Sequence, residues 1–136
     1  MPLNTQISAA TVNAQANALA ALCNSGTIRV YDGAQPATSD TAIGAQVLGV
    51  TLTFSAAAFP TAAAGVLTAN AITSGTAAAS ITPTWARIFR TDGTTVVMDV
   101  SAGATASNMI IGAFTSGTTV GCSSFVHTVR PATANL

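Results

Sequence analysis

Nucleophilic or acid–base chemistry in this 136-residue chain would have to be built from one His, two Cys and four Asp, because the sequence holds no Glu and no Lys. His127 is the single candidate base for a nucleophilic triad. It stands in Phe125-Val126-His127-Thr128-Val129, an alternating strand pattern in which a lone His is ordinarily a surface or satisfied core residue. The neighbouring Gly121-Cys122-Ser123-Ser124 lacks the Gly-x-Ser-x-Gly of a nucleophile elbow. Asp32 and Asp92 each precede Gly and read as turn residues. Asp40, in Thr38-Ser39-Asp40-Thr41, has none of the Asp-x-Asp spacing of a calcium loop. A zinc site would need two soft ligands besides Cys23 and Cys122, and only His127 is available. A Lys-free chain has no phosphate loop of the Gly-Lys type. The inventory therefore predicts no enzyme, no cofactor and no metal.

Cys23 and Cys122 read first as small buried hydrophobes in a reducing cytosol. A disulfide between them is the alternative, and it would close a loop of about 100 residues worth roughly 4 to 5 kcal/mol. Trp85 lies between polar strand residues, where it could anchor a core or an interface, or serve as a ligand platform.

These residues must be positioned by one helix and a set of short strands. Ser8 to Asn24 is the helix, with Ser8 as N-cap and Gly26 as the C′ glycine. Val12, Leu19 and Leu22 form its apolar stripe, with Ala16 and Cys23 beside it. From Thr27 the period changes to two. Ile28 and Val30 alternate with Arg29 and Tyr31, and 33–44 is a loop. Leu48 to Phe54 is a half-buried strand, 55–65 a loop or edge segment around Phe59-Pro60, and Val66 to Thr73 a short strand.

Residues Thr84 to Val100 form the clearest hairpin, turning at Asp92-Gly93. Trp85, Arg87 and Phe89 share one side of its first strand, and Arg90 can pair with Asp99 across it. Met109-Ile110-Ile111 and Val120 to Arg130 complete the set. Ser-Gly-Thr recurs at 25–27, 74–76 and 116–118 with uneven spacing and reads as turn chemistry. The pattern predicts a mainly β protein: an antiparallel β-sandwich or jelly roll preceded by one N-terminal α-helix. Residues 1–26 form the arm and helix, and 27–136 a single β domain.

Composition removes other classes. Charged residues are 6% of the chain, as four Arg and four Asp, against about 25% in typical soluble proteins. Four scattered Arg do not make a nucleic-acid surface. The N-terminus lacks the positive region of a signal peptide. No apolar run approaches the roughly 20 residues of a membrane span, and the helix carries no Lys or Arg for a bilayer surface. The 49% hydrophobic content includes 29 Ala, and so little charge gives copies of the chain little reason to repel one another. A partner surface, and a homo-oligomer, are expected.

A family resemblance rests on specific segments. They are Ile28-Arg29-Val30-Tyr31-Asp32-Gly33-Ala34-Gln35-Pro36-Ala37 running into Val50-Thr51-Leu52-Thr53-Phe54, then Gly65-Val66-Leu67-Thr68-Ala69-Asn70-Ala71-Ile72, then Thr84-Trp85-Ala86-Arg87-Ile88-Phe89 and Asp92-Gly93-Thr94-Thr95-Val96. In this order, between Ile28 and Val129, the chain resembles small tailed-bacteriophage and prophage proteins encoded among head and tail genes. The resemblance implies a virion structural protein made in the bacterial cytoplasm. Within that group it points to a capsid decoration (cement) protein that binds the major capsid protein or other virion proteins as a trimer or dimer. A tail, collar or fibre-associated protein is the alternative. So is a carbohydrate- or host-binding module with Trp85 and Tyr31 as stacking surfaces. By residue type, Tyr31, Phe59, Trp85 and Arg87 are the candidate interface anchors. Leu19 and Leu22 represent the helix, which with the preceding arm is the candidate docking piece.

Overall fold

In the computed structural model, which describes residues 7–129, the helix α1 runs Ala9–Cys23. Ser8 caps it, its Oγ accepting the Thr11 amide, and Asn24 closes it. The left-handed residue after the cap is Ser25 (φ 55°), not Gly26. Glycine is needed at 26 for a different reason: a Cβ there would collide with the Phe89 carbonyl. The helix end therefore packs against the backbone of the hairpin.

The strands follow as β1 (Thr27–Tyr31), β2 (Leu48–Phe54), β3 (Val66–Thr68), β4 (Ile72–Thr73), β5 (Gly75–Thr76), β6 (Trp85–Phe89), β7 (Val96–Gly103), β8 (Met109–Ile110), β9 (Thr119–Val120) and β10 (Ser124–Thr128). Eight pair in the order β3-β10-β8-β7-β6-β1-β2-β4, and β5 pairs with β9 in a separate ribbon. The protein is mainly β with one N-terminal helix, and its large curled sheet makes it sandwich-like. The sheet is mixed: β7 and β8 run parallel, while every other pairing is antiparallel. Ser101 and Asn108 make that parallel step possible. Asn108 Oδ1 accepts the Ser101 hydroxyl at 3.0 Å, the Asn108 amide donates to Ser101 Oγ at 2.9 Å, and Asn108 Nδ2 reaches the Val126 carbonyl. Of the three Ser-Gly-Thr segments, the one at 74–76 supplies strand β5 at Gly75–Thr76, with Gly75 packed on the Thr51 carbonyl. The last strand was expected to reach Arg130, which lies outside the described residues, as does the arm before Ile7.

The helix docks through Val12, Ala16, Ala20 and Cys23. This corrects the expected Val12–Leu19–Leu22 stripe: Leu19 is half-buried, and Leu22 is 40% exposed. Small side chains face the sheet because the helix lies close to it. Beneath lie Ile28, Val30, Val50, Leu52, Ile88 and Met109, all fully enclosed. Phe54, Phe59 and Phe125 meet at centroid separations of 5.4 to 5.8 Å, an aromatic cluster that fills one end of the core.

Asparagines complete the docking. Asn13, Asn17 and Asn24 offer their Oδ1 atoms to the amides of Gly65, Ala62 and Ala58 at 2.8, 2.8 and 2.9 Å. The 55–65 loop is largely Ala and has few side chains to satisfy its own backbone, so the helix does it. Asn17→Ala leaves the Ala62 amide without its acceptor. A loss of about 1 to 2 kcal/mol is expected, with faster hydrogen exchange at Ala62 by NMR.

The hairpin turns where expected, with Gly93 at φ 72°. Asp92 accepts the Thr95 hydroxyl and the Thr94 and Thr95 amides, and these bonds, led by the Thr95 hydroxyl, hold its carboxyl down at about 2. A depressed carboxyl stabilises the fold above its ordinary value of 3.8 and loses that contribution as pH falls through its folded value. The melting advantage of wild type over Asp92→Asn is therefore expected to hold at pH 5 and to vanish near pH 2. Parallel thermal melts check it.

Candidate interaction site

Strand β6 is buried along its whole length, although its alternation predicts one exposed face. The cover on that face is the loop that follows β1. Its anchor is Arg87, 3% exposed, which the register places opposite Asp99. Nε donates to Asp99 Oδ1 at 2.7 Å and Nη2 to Oδ2 at 2.9 Å, a two-pronged ion pair with both side chains 4% exposed. The remaining donors go to the loop: Nη1 to the Thr41 carbonyl at 2.7 Å and Nη2 to that of Thr38 at 3.4 Å. The bond to Asp99 raises the Arg87 pKa above its already high ordinary value, so the guanidinium stays charged.

The expected Arg90–Asp99 pair is replaced by Arg87–Asp99. The turn at Asp92-Gly93 already places Arg90 beside Thr95, its amide donating to that carbonyl, and a bulge between Ile88 and Phe89 then shifts the register by one residue and brings Arg87 opposite Asp99.

Trp85 completes the anchor. It is fully buried, stacks on Tyr31 at 4.7 Å and donates its indole N–H to the Asp32 carbonyl at 3.3 Å. Thr84 Oγ1 reaches the Gly33 carbonyl at 2.7 Å, and the Asp32 carboxylate takes the Val47 amide at 2.9 Å. Both ends and the middle of the 33–47 loop are thereby tied to the sheet. Further along the same face, Arg29 lies over the Phe89 ring at 4.5 Å.

Four of the six expected interface residues are thus internal. Tyr31 and Trp85 face each other under the loop, Arg87 is consumed by Asp99 and two carbonyls, and Phe59 belongs to the aromatic core. None is a surface anchor, and Trp85 and Tyr31 offer no stacking platform to a ligand. Leu19 is half-buried against the core, and Leu22 remains exposed on the outer side of α1. Leu22 and Val47 are the exposed large hydrophobics among the described residues. The docking elements that remain are the outer side of α1, where Ala10, Ala14, Ala18, Ala21 and Leu22 are exposed, and the pinned 33–47 loop.

Both thiols are free, which corrects the possible Cys23–Cys122 disulfide. Cys23 is enclosed under α1, where burial pushes its pKa up to about 11. Cys122 is half-buried in another part of the fold, donating to the Ser124 carbonyl, and burial likewise raises its pKa. Two protonated thiols are poor nucleophiles at neutral pH. His127 is half-buried on β10 opposite Leu67, and desolvation lowers its pKa, so it is neutral at pH 7. Among the described residues, no three of His, Cys, Asp and Glu gather as metal ligands. No described helix is long and apolar enough to cross a membrane.

Comparison of the chain with protein-family models, curated proteins and solved structures finds no match.

Proposed function

We propose that the chain is a non-enzymatic structural component of a tailed-phage virion, a decoration protein that binds the outside of the capsid and stabilises it. The observation that carries this reading is how little charge the described surface presents. Asp40, Arg90 and Asp92 are the exposed charged residues among residues 7–129, and Asp92 is already bonded to its own turn. The ion pair Arg87–Asp99 is spent internally. So few charges leave little ionic hydration to strip away when another protein covers this surface and little repulsion toward a second copy. The segments that resemble phage head and tail proteins supply the virion context.

The contact elements are α1, through Leu22 and its exposed alanines, and the 33–47 loop with Val47. The partners are the major capsid protein or other virion proteins, together with further copies of the chain as a trimer or dimer. A standard contact of about 1,600 Å² would hold each copy in place. The mechanism is burial energy alone, delivered on a rigid β framework.

Quantitative mass spectrometry of purified particles tests the proposal. Copies on the order of hundreds per particle support decoration, whereas about six to twelve would place the protein in a collar or tail ring. Absence from the particle overturns the virion reading altogether.

A further inference from the structure

The segments 80–82 and 113–114 are joined by one reciprocal pair of backbone bonds, Ile81 to Phe114 and Phe114 to Ile81, both at 3.2 Å. Beside the end of β1 they border a shallow, open cleft of about 460 Å³ lined by Asp32, Ser80, Ile81, Thr82, Ala113 and Phe114. That volume lies within the range of small-molecule clefts. The floor is apolar: Ile81 is buried, and the half-buried Phe114 ring rests on Gly49, where a Cβ would stand 2.7 Å from it. The ring is thereby held in place.

The rim is polar and specific in its donors and acceptors. Asp32 Oδ1 accepts the Val47 amide, which orients the carboxylate, and Oδ2 has no partner among the described residues. Ser80 Oγ already accepts the Ser116 amide at 2.8 Å, so its own hydroxyl proton is available to donate. Thr82 is exposed and adds a second hydroxyl.

We infer that this cleft binds a neutral saccharide. The lining contains no Arg, and its one charge is negative, so it rejects anionic ligands. One carboxylate is too few for a bound metal ion, and one aromatic ring does not make the cage that a quaternary ammonium prefers. A pyranose presents what is left to match. Its C–H face packs on the Phe114 ring, which Ile81 backs from below, adjacent hydroxyls donate to Asp32 Oδ2, and the hydroxyls of Ser80 and Thr82 exchange bonds with the ring substituents. The inference is independent of the virion reading and stands or falls without it.

The test is an NMR titration of the full chain with glucose, galactose, N-acetylglucosamine and lactose, with choline and acetate as opposing probes. The expected result is a saturable shift by at least one sugar at the amides of Asp32, Ile81, Thr82 and Phe114. Phe114→Ala should weaken that binding about five- to ten-fold, the scale of one lost aromatic contact. Ala113→Trp and Thr82→Trp, both at exposed positions, should plug the cleft and abolish the shift while keeping the wild-type melting temperature. Silence from all four sugars overturns the inference. So does a response to choline or acetate alone, or a sugar response that survives both plugs.

Discussion

Arg87→Leu should cost about 3 to 5 kcal/mol, because it leaves the Asp99 carboxylate buried with no counter-charge. Asp99 has 4% of its side chain exposed and draws both of its strong hydrogen bonds from Arg87. The same substitution strips the Thr41 carbonyl of its Arg87 donor and leaves the Thr38 carbonyl with the Thr41 amide alone, so the middle of the loop should detach from the sheet as the stability falls. For a chain of this length the melting temperature should drop by roughly 10 to 15 °C. Amide exchange in residues 38–47 should accelerate beyond what the global loss explains. Arg87→Lys retains the charge but cannot serve a two-pronged carboxylate and two carbonyls together, so its stability should fall between wild type and Leu.

The decisive comparison is the double replacement Arg87→Met with Asp99→Leu. It removes both charges from the buried site and should recover much of the loss while leaving the loop untied. If instead the Leu variant melts within about a degree of wild type, the pair lies in a wet, high-dielectric surface site and the description of β6 as a covered strand is wrong.

How much of this was legible depends on whether the cause was local. The helix could be read almost to the residue from its N-cap type at Ser8, while its end, read from Gly26 as the C′ glycine, is closed by Asn24 with Ser25 as the left-handed residue. Its buried side could not. Ranking residues by size selects Leu19 and Leu22, but the closeness of helix to sheet, set by the backbone contact at Gly26, favours Ala16 and Ala20. The hairpin turn was legible from Asp92-Gly93, whereas the ion pair was not, because one bulge at Ile88/Phe89 determines which residue stands opposite Asp99.

The largest misreading concerns the outer face of β1 and β6. Period-two alternation reports only that Tyr31, Trp85 and Arg87 share a side of the sheet. What lies on that side is a loop whose own composition, rich in Gly, Ala, Ser and Thr, looks free of obligations. Its attachment comes from carbonyl groups, at Asp32, Gly33, Thr38 and Thr41, which every residue type has and no composition reveals. A Trp, a Tyr and an Arg on one supposedly open face were the available signal that something covers it. The cleft is invisible for a similar reason: it joins position 32 to 80–82 and 113–114, three segments that only the tertiary fold brings together.

Trp85 allows the covering to be measured directly, because it is the chain's one tryptophan. In wild type its emission should be blue-shifted and resistant to iodide, since the ring is fully buried between Tyr31 and the loop. In Arg87→Leu the emission should move to the red below the melting transition, reporting the detached loop in a molecule that is still folded. Trp85→Ala should itself cost about 3 to 5 kcal/mol, the range for emptying a large buried aromatic site. Trp85→Phe separates the two contributions: it retains a ring against Tyr31 but gives up the indole bond to the Asp32 carbonyl, for a loss of about 1 kcal/mol from that bond. Part of any further loss comes from the smaller ring's unfilled volume. If Trp85→Ala were instead near neutral, Tyr31 would have to collapse into the vacated space and draw the loop down with it. Its ring is 4.7 Å away and nearly parallel, and its backbone is fixed in β1, which is paired on both sides with β2 and β6, so only a side-chain rotation is open to it.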